Sequence, residues 1–314
     1  MRLAVTRETI RAAHARIARH VRRTPAMRLP QGAFGHGGPV SLKLELMQHA
    51  GSFKTRGAFN TMLSEAIPEA GVAAASGGNH GAAVAYAARQ LGVPARVFVP
   101  EISSPAKVEA IRRFGAHVVI GGARYADALV ACTAHAEESR ALTVHAYDAR
   151  STLEGQGTVA LEWDEDDGEL DSVLVASGGG GLIAGMASWW YGSGVKVVGV
   201  EPEGSRALHA ALEAGHPVDV DVASIAADSL GARRAGDLVV PIARAAVDRV
   251  VLVADAAIRD AQLELWRDFR IACEPGGAAA LAALHSGAYR PAPGERVGVL
   301  LCGANVDPAT LARP

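Results

Sequence analysis

Lys54 lies in the run Ser52-Phe53-Lys54-Thr55-Arg56-Gly57-Ala58, between an aromatic residue and a helix-favouring stretch that continues through Phe59, Asn60 and Met62. A lysine held in a partly desolvated cleft has a lowered pKa, so its free amine can add to an aldehyde. Taken alone, the same lysine reads more simply as an exposed residue near a helix start. A second segment, Ser76-Gly77-Gly78-Asn79-His80-Gly81, is a turn between a strand end and a helix start. Its glycines permit close backbone approach. Its amides, with the Ser76 hydroxyl and the Asn79 side chain, suit a carboxylate at a helix N-terminus. An ordinary βα turn has the same composition. His80 reads either as a general base or as a histidine that caps or packs on the turn.

The third segment is Ser177-Gly178-Gly179-Gly180-Gly181-Leu182, directly after the apolar run Val173 to Ala176. Consecutive glycines leave backbone N–H groups free to converge on a phosphate, and the following helix adds the positive end of its dipole. The pattern does not say whose phosphate. Gly179-x-Gly181-x-x-Ala184 also fits a dinucleotide fingerprint, with Glu201 about 20 residues on, where a ribose-binding acid would stand. Fourth, Cys302-Gly303-Ala304-Asn305 ends the last apolar strand, and parallel sheets bind ligands at the carboxyl ends of their strands. An inert buried cysteine is the plainer reading.

Apolar strand-like runs alternate with helical ones over most of the chain, which predicts an α/β fold of parallel sheets flanked by helices. From Gly71 the pattern gives the strand Val72 to Ala75, a helix from His80 to Leu91 and the strand Arg96 to Val99. Ser103 and Ser104 are caps for a helix from Pro105 to Phe114. The strand His117 to Ile120, a helix from Tyr125 to Ser139 and the strand Leu142 to His145 complete a compact unit. A second series runs from Val173 through a helix ending near Tyr191, the strand Lys196 to Val200, and the strand Arg249 to Val253. A helix from Ala256 to Arg270, another after Gly276 and the strand Val297 to Leu301 follow. The acidic stretch Glu162 to Asp171 reads as a solvated loop. It lacks the His or Cys partners of a metal site, and no metal is expected. Two lobes are expected, residues 71–145 forming a small domain inserted between the two parts, 1–70 and 146–314, of a large cofactor-binding domain.

The chain has 314 residues, 49% of them hydrophobic, enough for one large core or two ordinary domains. With 31 basic and 33 acidic residues the net charge is only -2, so no field recruits nucleic acid or a membrane surface. A small zwitterionic partner, such as an amino acid substrate, fits better. Three cysteines, Cys132, Cys273 and Cys302, are too few and scattered for a disulfide framework, and the cytoplasm is the expected compartment. No apolar run approaches the roughly 18 residues of a membrane span. The Arg-rich start has Ile10, Ala13, Ile17 and Val21 at helical spacing, with Thr6 and Thr9 as start signals. An amphipathic helix is therefore preferred to a targeting peptide.

Together the four segments resemble the serine/threonine dehydratase family of pyridoxal 5′-phosphate (PLP) enzymes, which share the tryptophan synthase β-subunit fold. The resemblance runs from Arg23-Thr24-Pro25 to Asn305-Val306-Asp307, with the motifs in the family's order. It implies that Lys54 carries PLP as a Schiff base, with Phe53 against the ring. Asn79 would bond the ring hydroxyl, Gly178, Gly179, Gly180 and Gly181 the phosphate, and Cys302 would face the pyridine nitrogen. Ser76, Gly77, Asn79 and His80 would hold the substrate. A cysteine at 302 and a Ser-Gly-Gly-Asn turn are similar to the liver-type serine dehydratases. A neutral partner for the ring nitrogen does not enforce its protonation, which favours prompt loss of a β-substituent.

The implied activity is an ammonia-lyase on a β-hydroxy amino acid of the L-threonine/L-serine class, in which Lys54 is also the base at Cα. β-Replacement, racemisation, a dinucleotide oxidoreductase and a non-catalytic PLP-binding protein are the alternatives. Serine racemases of the family carry a second serine where this chain has Gly77, so efficient racemisation is not expected. The family's cation site corresponds to Glu201, Ser205 and Ala207, one carboxylate short. The chain ends soon after its last strand, so isoleucine control is not expected either. A homodimer is. Substrate selection is assigned to the neighbourhood of Asp228 to Ala232 and Arg56.

Overall fold

The computed structural model describes residues 3–103 and 105–312, so the Ser104 cap lies outside them. Its helices are α1 (Arg7–Ile17), α2 (Lys54–Ser64), α3 (Asn79–Leu91), α4 (Pro105–Arg113), α5 (Tyr125–Ser139), α6 (Arg150–Asp166), α7 (Gly181–Trp190), α8 (Ala207–Ala214), α9 (Ala227–Leu230), α10 (Val239–Ala246), α11 (Asp255–Phe269) and α12 (Pro275–His285). The strands are β1 (Ala26–Leu29), β2 (Val40–Lys43), β3 (Val72–Ala75), β4 (Ala95–Val99), β5 (His117–Ile120), β6 (Leu142–Thr143), β7 (Ser172–Ala176), β8 (Lys196–Pro202), β9 (Arg249–Val253) and β10 (Val297–Leu300).

They form two sheets. One has the order β1-β2-β10-β7-β8-β9, parallel except for β1 at its edge; the other, β5-β4-β3-β6, is parallel throughout. Strands β7 and β10 are buried along their whole length, the reason they read as apolar runs; β2 is equally buried but carries Ser41 and Lys43. The small sheet packs on α3 and α2, where Ala58, Phe59 and Met62 join Val72, Ala74 and Val84 in one cluster. Along another face α2 lies on α6, with Asn60 donating to Ser151 O at 2.7 Å. A Cβ at Gly155 would stand 2.7 Å from the Gly57 Cα, so glycine lets the two backbones touch. Helix α1 begins with Thr6 as N-cap, in a reciprocal capping box with Thr9.

The acidic stretch departs from the expected loop. Helix α6 continues to Asp166, and Glu162 is buried beneath it, bonded to Arg56 and 3.6 Å from the buried Lys43. Partners for these charges come from β2 and α2, more than 100 positions away, so local sequence could not show that the acids were neutralised.

Candidate active site

In each sheet the chain changes direction at one place. Strand β7 lies between β10 and β8, and β3 between β6 and β4, so each sheet has a switch point where the connections part and leave a crevice. The Ser76–Asn79 turn follows β3. Gly178 to Gly181 follow β7, and Cys302 follows β10. The two crevices face each other, which gathers four segments distant in sequence.

Lys54 is the first residue of α2, delivered by loop 45–53, whose backbone is stitched to the end of β10. Leu46 N donates to Leu301 O at 2.7 Å, Phe53 N to Cys302 O at 3.2 Å and Ala304 N to Gly51 O at 2.9 Å. The Lys54 Nζ donates to Ala146 O at 2.7 Å and lies 5.1 Å from the Phe53 ring centroid. Burial lowers its pKa to about 8, against a smaller opposing pull from Cys302 and Glu274. An amine in that range is a usable nucleophile and base near neutral pH.

Asn79 opens α3. Its Nδ2 donates to Glu274 Oε1 at 2.6 Å, and its Oδ1 accepts from Asn305 Nδ2 at 2.8 Å. Within the preceding turn Gly78 N donates to Ser76 Oγ at 3.2 Å. At Gly77 a Cβ would collide with the Ser103 hydroxyl, so that hydroxyl fills the space a side chain at 77 would use. The His80 ring is buried, its Nε2 bonded to Val144 O at 2.8 Å, and burial followed by the Lys54 charge lowers its pKa to about 3. A ring so held is neutral, a weak proton acceptor, and supports the turn.

The glycine run leads into α7 through Gly180 at φ 88°, a left-handed conformation. A Cβ at Gly179 would stand 2.5 Å from the Tyr147 ring, and one at Gly181 2.5 Å from Tyr147 O. Beside the run, the Ser177 hydroxyl is buried without a partner among the described residues, as is Ser229 Oγ nearby in the wall. The Cys302 thiol is buried, 3.7 Å from Gly276 O, and burial pushes its pKa up, so it stays neutral.

Two other expectations are corrected. Glu201 is buried, and its two oxygens accept from the amides of Leu208 and His209 at 2.9 and 2.8 Å. It closes the start of α8 and is fully buried there, out of reach of a ribose. Arg56 does not line a substrate pocket, because its guanidinium is fully buried between Glu45 and Glu162. Asp228 does reach the cleft. It meets Lys107 of α4 at 2.6 Å across the mouth of a cavity of about 920 Å³ that also touches Gly78, Asn79, Pro275 and Asn305.

Sequence reasoning missed Glu274, Tyr147 and His145. The Glu274 carboxyl sits at the N-cap of α12, against Gly303 and beside Asn79, and burial raises its pKa to about 7. Its signal was an acid immediately before Pro275, a helix-start pattern that carries no chemistry alone. His145 Nδ1 accepts from Asp148 N at 2.9 Å and Tyr147 N at 3.3 Å, which places the ring proton on Nε2.

The family model described as "Pyridoxal-phosphate dependent enzyme" matches residues 17–303. The chain belongs to that family. Within it, the chain is 40% identical to a phenylserine dehydratase of Ralstonia pickettii, over 95% of this chain and 93% of that one. It is 38% identical to an L-threonine ammonia-lyase of Geobacter sulfurreducens, over 96% of this chain and 76% of the relative. Maize serine racemase superposes with a TM-score of 0.92 at 34% identity, covering 98% of this chain and 96% of that structure. These likenesses bear out the serine/threonine dehydratase family, its two-lobed tryptophan synthase β-like fold and PLP as cofactor. A dehydratase or a racemase on this fold follows. The residues present fit the cofactor: a desolvated amine, a glycine cradle that admits no side chain, unpartnered buried hydroxyls and a neutral thiol share one cleft.

Proposed function

We propose that this enzyme is an ammonia-lyase that removes water from a β-hydroxy amino acid of the threonine, serine or phenylserine type, giving a 2-oxo acid and ammonia. Bound PLP supplies the aldehyde that receives an amine and the electron-poor ring that acidifies the substrate's Cα–H. Lys54 would anchor it, and its desolvated amine is the group that would take the Cα proton. The amides of Gly178, Gly179, Gly180 and Gly181, at the start of α7, hold the phosphate. Asn79 bonds the ring hydroxyl, and Cys302 faces the ring nitrogen as a neutral group. Ser76, Gly77, Asn79 and His80 present their backbone to the substrate carboxylate, with the ring of His80 bracing the turn from behind.

The observation that carries this reading is the meeting of the Lys54 amine with Cys302 and Asn79 in one desolvated crevice. No single motif predicted it. A panel assay of 2-oxo acid released from L-threonine, L-serine and phenylserine tests it, and D-isomer formation predominating over 2-oxo acid would defeat it. One contact favours a second reading. Ser103 Oγ occupies the space of a side chain at Gly77, so the second hydroxyl that the turn's sequence lacks after Ser76 is present beside it. It would serve racemisation if it reaches Cα, and the same assay read for D-isomer separates the two.

A further inference from the structure

Glu274 has a place in the cleft that nothing in the chemistry above uses. It is buried, and its Oε1 accepts from Asn79 Nδ2 at 2.6 Å. Asn79 in turn accepts from Asn305, whose Nδ2 also donates to Ala50 O at 2.9 Å. An amide can rotate to exchange its oxygen and nitrogen. Here both ends are spoken for by partners of opposite kind, a carboxyl that accepts and an amide that donates, so one orientation is fixed. In that orientation the second Nδ2 hydrogen of Asn79 is left for a ligand.

The arrangement also spans the cleft. Asn79 belongs to the helix that follows β3 of the small sheet, while Glu274 is the N-cap residue of α12 and Asn305 follows β10 of the large sheet. Gly303 is kept free of a side chain by the carboxyl itself, since a Cβ there would collide with Glu274 Oε1. The charged groups that face Glu274 are Lys54 from α2, Lys107 from α4 and Asp228 from α9, with Cys302 and Cys273 as neutral thiols.

We propose that Glu274 is a positioning residue for the cofactor, acting through Asn79: by accepting its Nδ2 it fixes the amide that meets the PLP ring hydroxyl. The inference rests on the placement of Asn79 proposed above. Titration of PLP into the cofactor-free enzyme, followed by visible absorbance, tests it without turnover. Glu274→Ala should weaken PLP binding about 10-fold or more, because it leaves the Asn79 amide without its buried acceptor. Glu274→Asp, which keeps the charge but withdraws the acceptor, should lose as much and serves if the alanine variant fails to fold. Glu274→Gln keeps an acceptor in reach and should stay within about 3-fold of the parent. In an Asn79→Ala background the further loss from either disabling change should shrink to about 2-fold or less. Losses that simply multiply, or a folded Glu274→Gln as weak as Glu274→Ala, overturn the role of Glu274. An Asn79→Ala variant with unchanged PLP affinity instead overturns the placement of Asn79.

Discussion

Arg56 and Glu162 form a bidentate, buried ion pair, Nη1 to Oε1 and Nη2 to Oε2, each at 2.7 Å, between α2 and α6. Burial works to raise the Glu162 pKa, but the Arg56 bonds outweigh it and hold the carboxyl below its usual range. A second fork to Glu45 leaves the guanidinium well satisfied only two residues past Lys54. Arg56→Met strands two buried carboxylates and should destabilise the fold by about 3–5 kcal/mol, read from urea unfolding. Arg56→Lys should recover only part of that, because an ammonium cannot fork.

Lys54→Ala should leave the fold intact, with α2 still seated through Ala58 and Phe59, yet remove the visible absorbance of PLP-loaded protein. Deamination should fall by about 10³-fold or more, the scale of a lost proton-transferring group. Retained covalent cofactor in this variant, seen by mass spectrometry after reduction, would place the anchor elsewhere.

The Lys54 amine also predicts a pH dependence. Its pKa of about 8, against an ordinary 10.5, means that uptake of PLP by cofactor-free protein should accelerate as pH rises through about 8 and level off above it. Between those two values the unfolded chain binds more protons than the folded one at this lysine. Its contribution to the stability of the cofactor-free protein therefore increases with pH across that window. Stopped-flow absorbance over pH 6 to 10 checks the first statement, and a midpoint near 10 contradicts it.

Gly181→Ala places a methyl 2.5 Å from the Tyr147 carbonyl and 2.8 Å from its Cα, both backbone atoms that cannot swing aside. The cradle must shift, and PLP affinity should drop about 10-fold, equivalent to roughly 1.4 kcal/mol. Equilibrium dialysis of the variant against PLP measures it; an unchanged affinity means the phosphate sits away from this turn.

Ser103→Ala separates the two chemical readings. If water loss needs only Lys54, 2-oxo acid formation should remain within about 5-fold, because a removed neutral hydroxyl bond is worth about 1 kcal/mol or less at a partly exposed site. Any D-isomer the parent enzyme makes should vanish if Ser103 supplies the opposite proton. Chiral chromatography of products from L-serine reads both.

Much of the architecture was legible along the chain. Strands β3, β5 and β9 and helix α5 fall where the alternating apolar runs put them, because short apolar runs and helical spacing are local signals, at the sheet edge (β5, β9) as in the buried centre (β3). The Lys54 motif, the Asn79 turn, the glycine run and Cys302 could likewise be picked out by residue type, since glycine freedom and amine chemistry belong to single residues and their neighbours. Helix α6 was not, because its acids resemble a solvated loop until Lys43 and Arg56 arrive from elsewhere. Nor could sequence tell that Glu201 is spent on two helix amides, that His80 braces the turn, or that Glu274 meets Asn79 across the cleft. Composition and short patterns determined which groups this protein possesses and the fold that would carry them. Which groups meet, which are desolvated and therefore reactive, and which merely neutralise one another were decided by the two sheets facing at their switch points. Electrostatics and hydrogen bonding depend on distance in space, which a linear pattern does not contain.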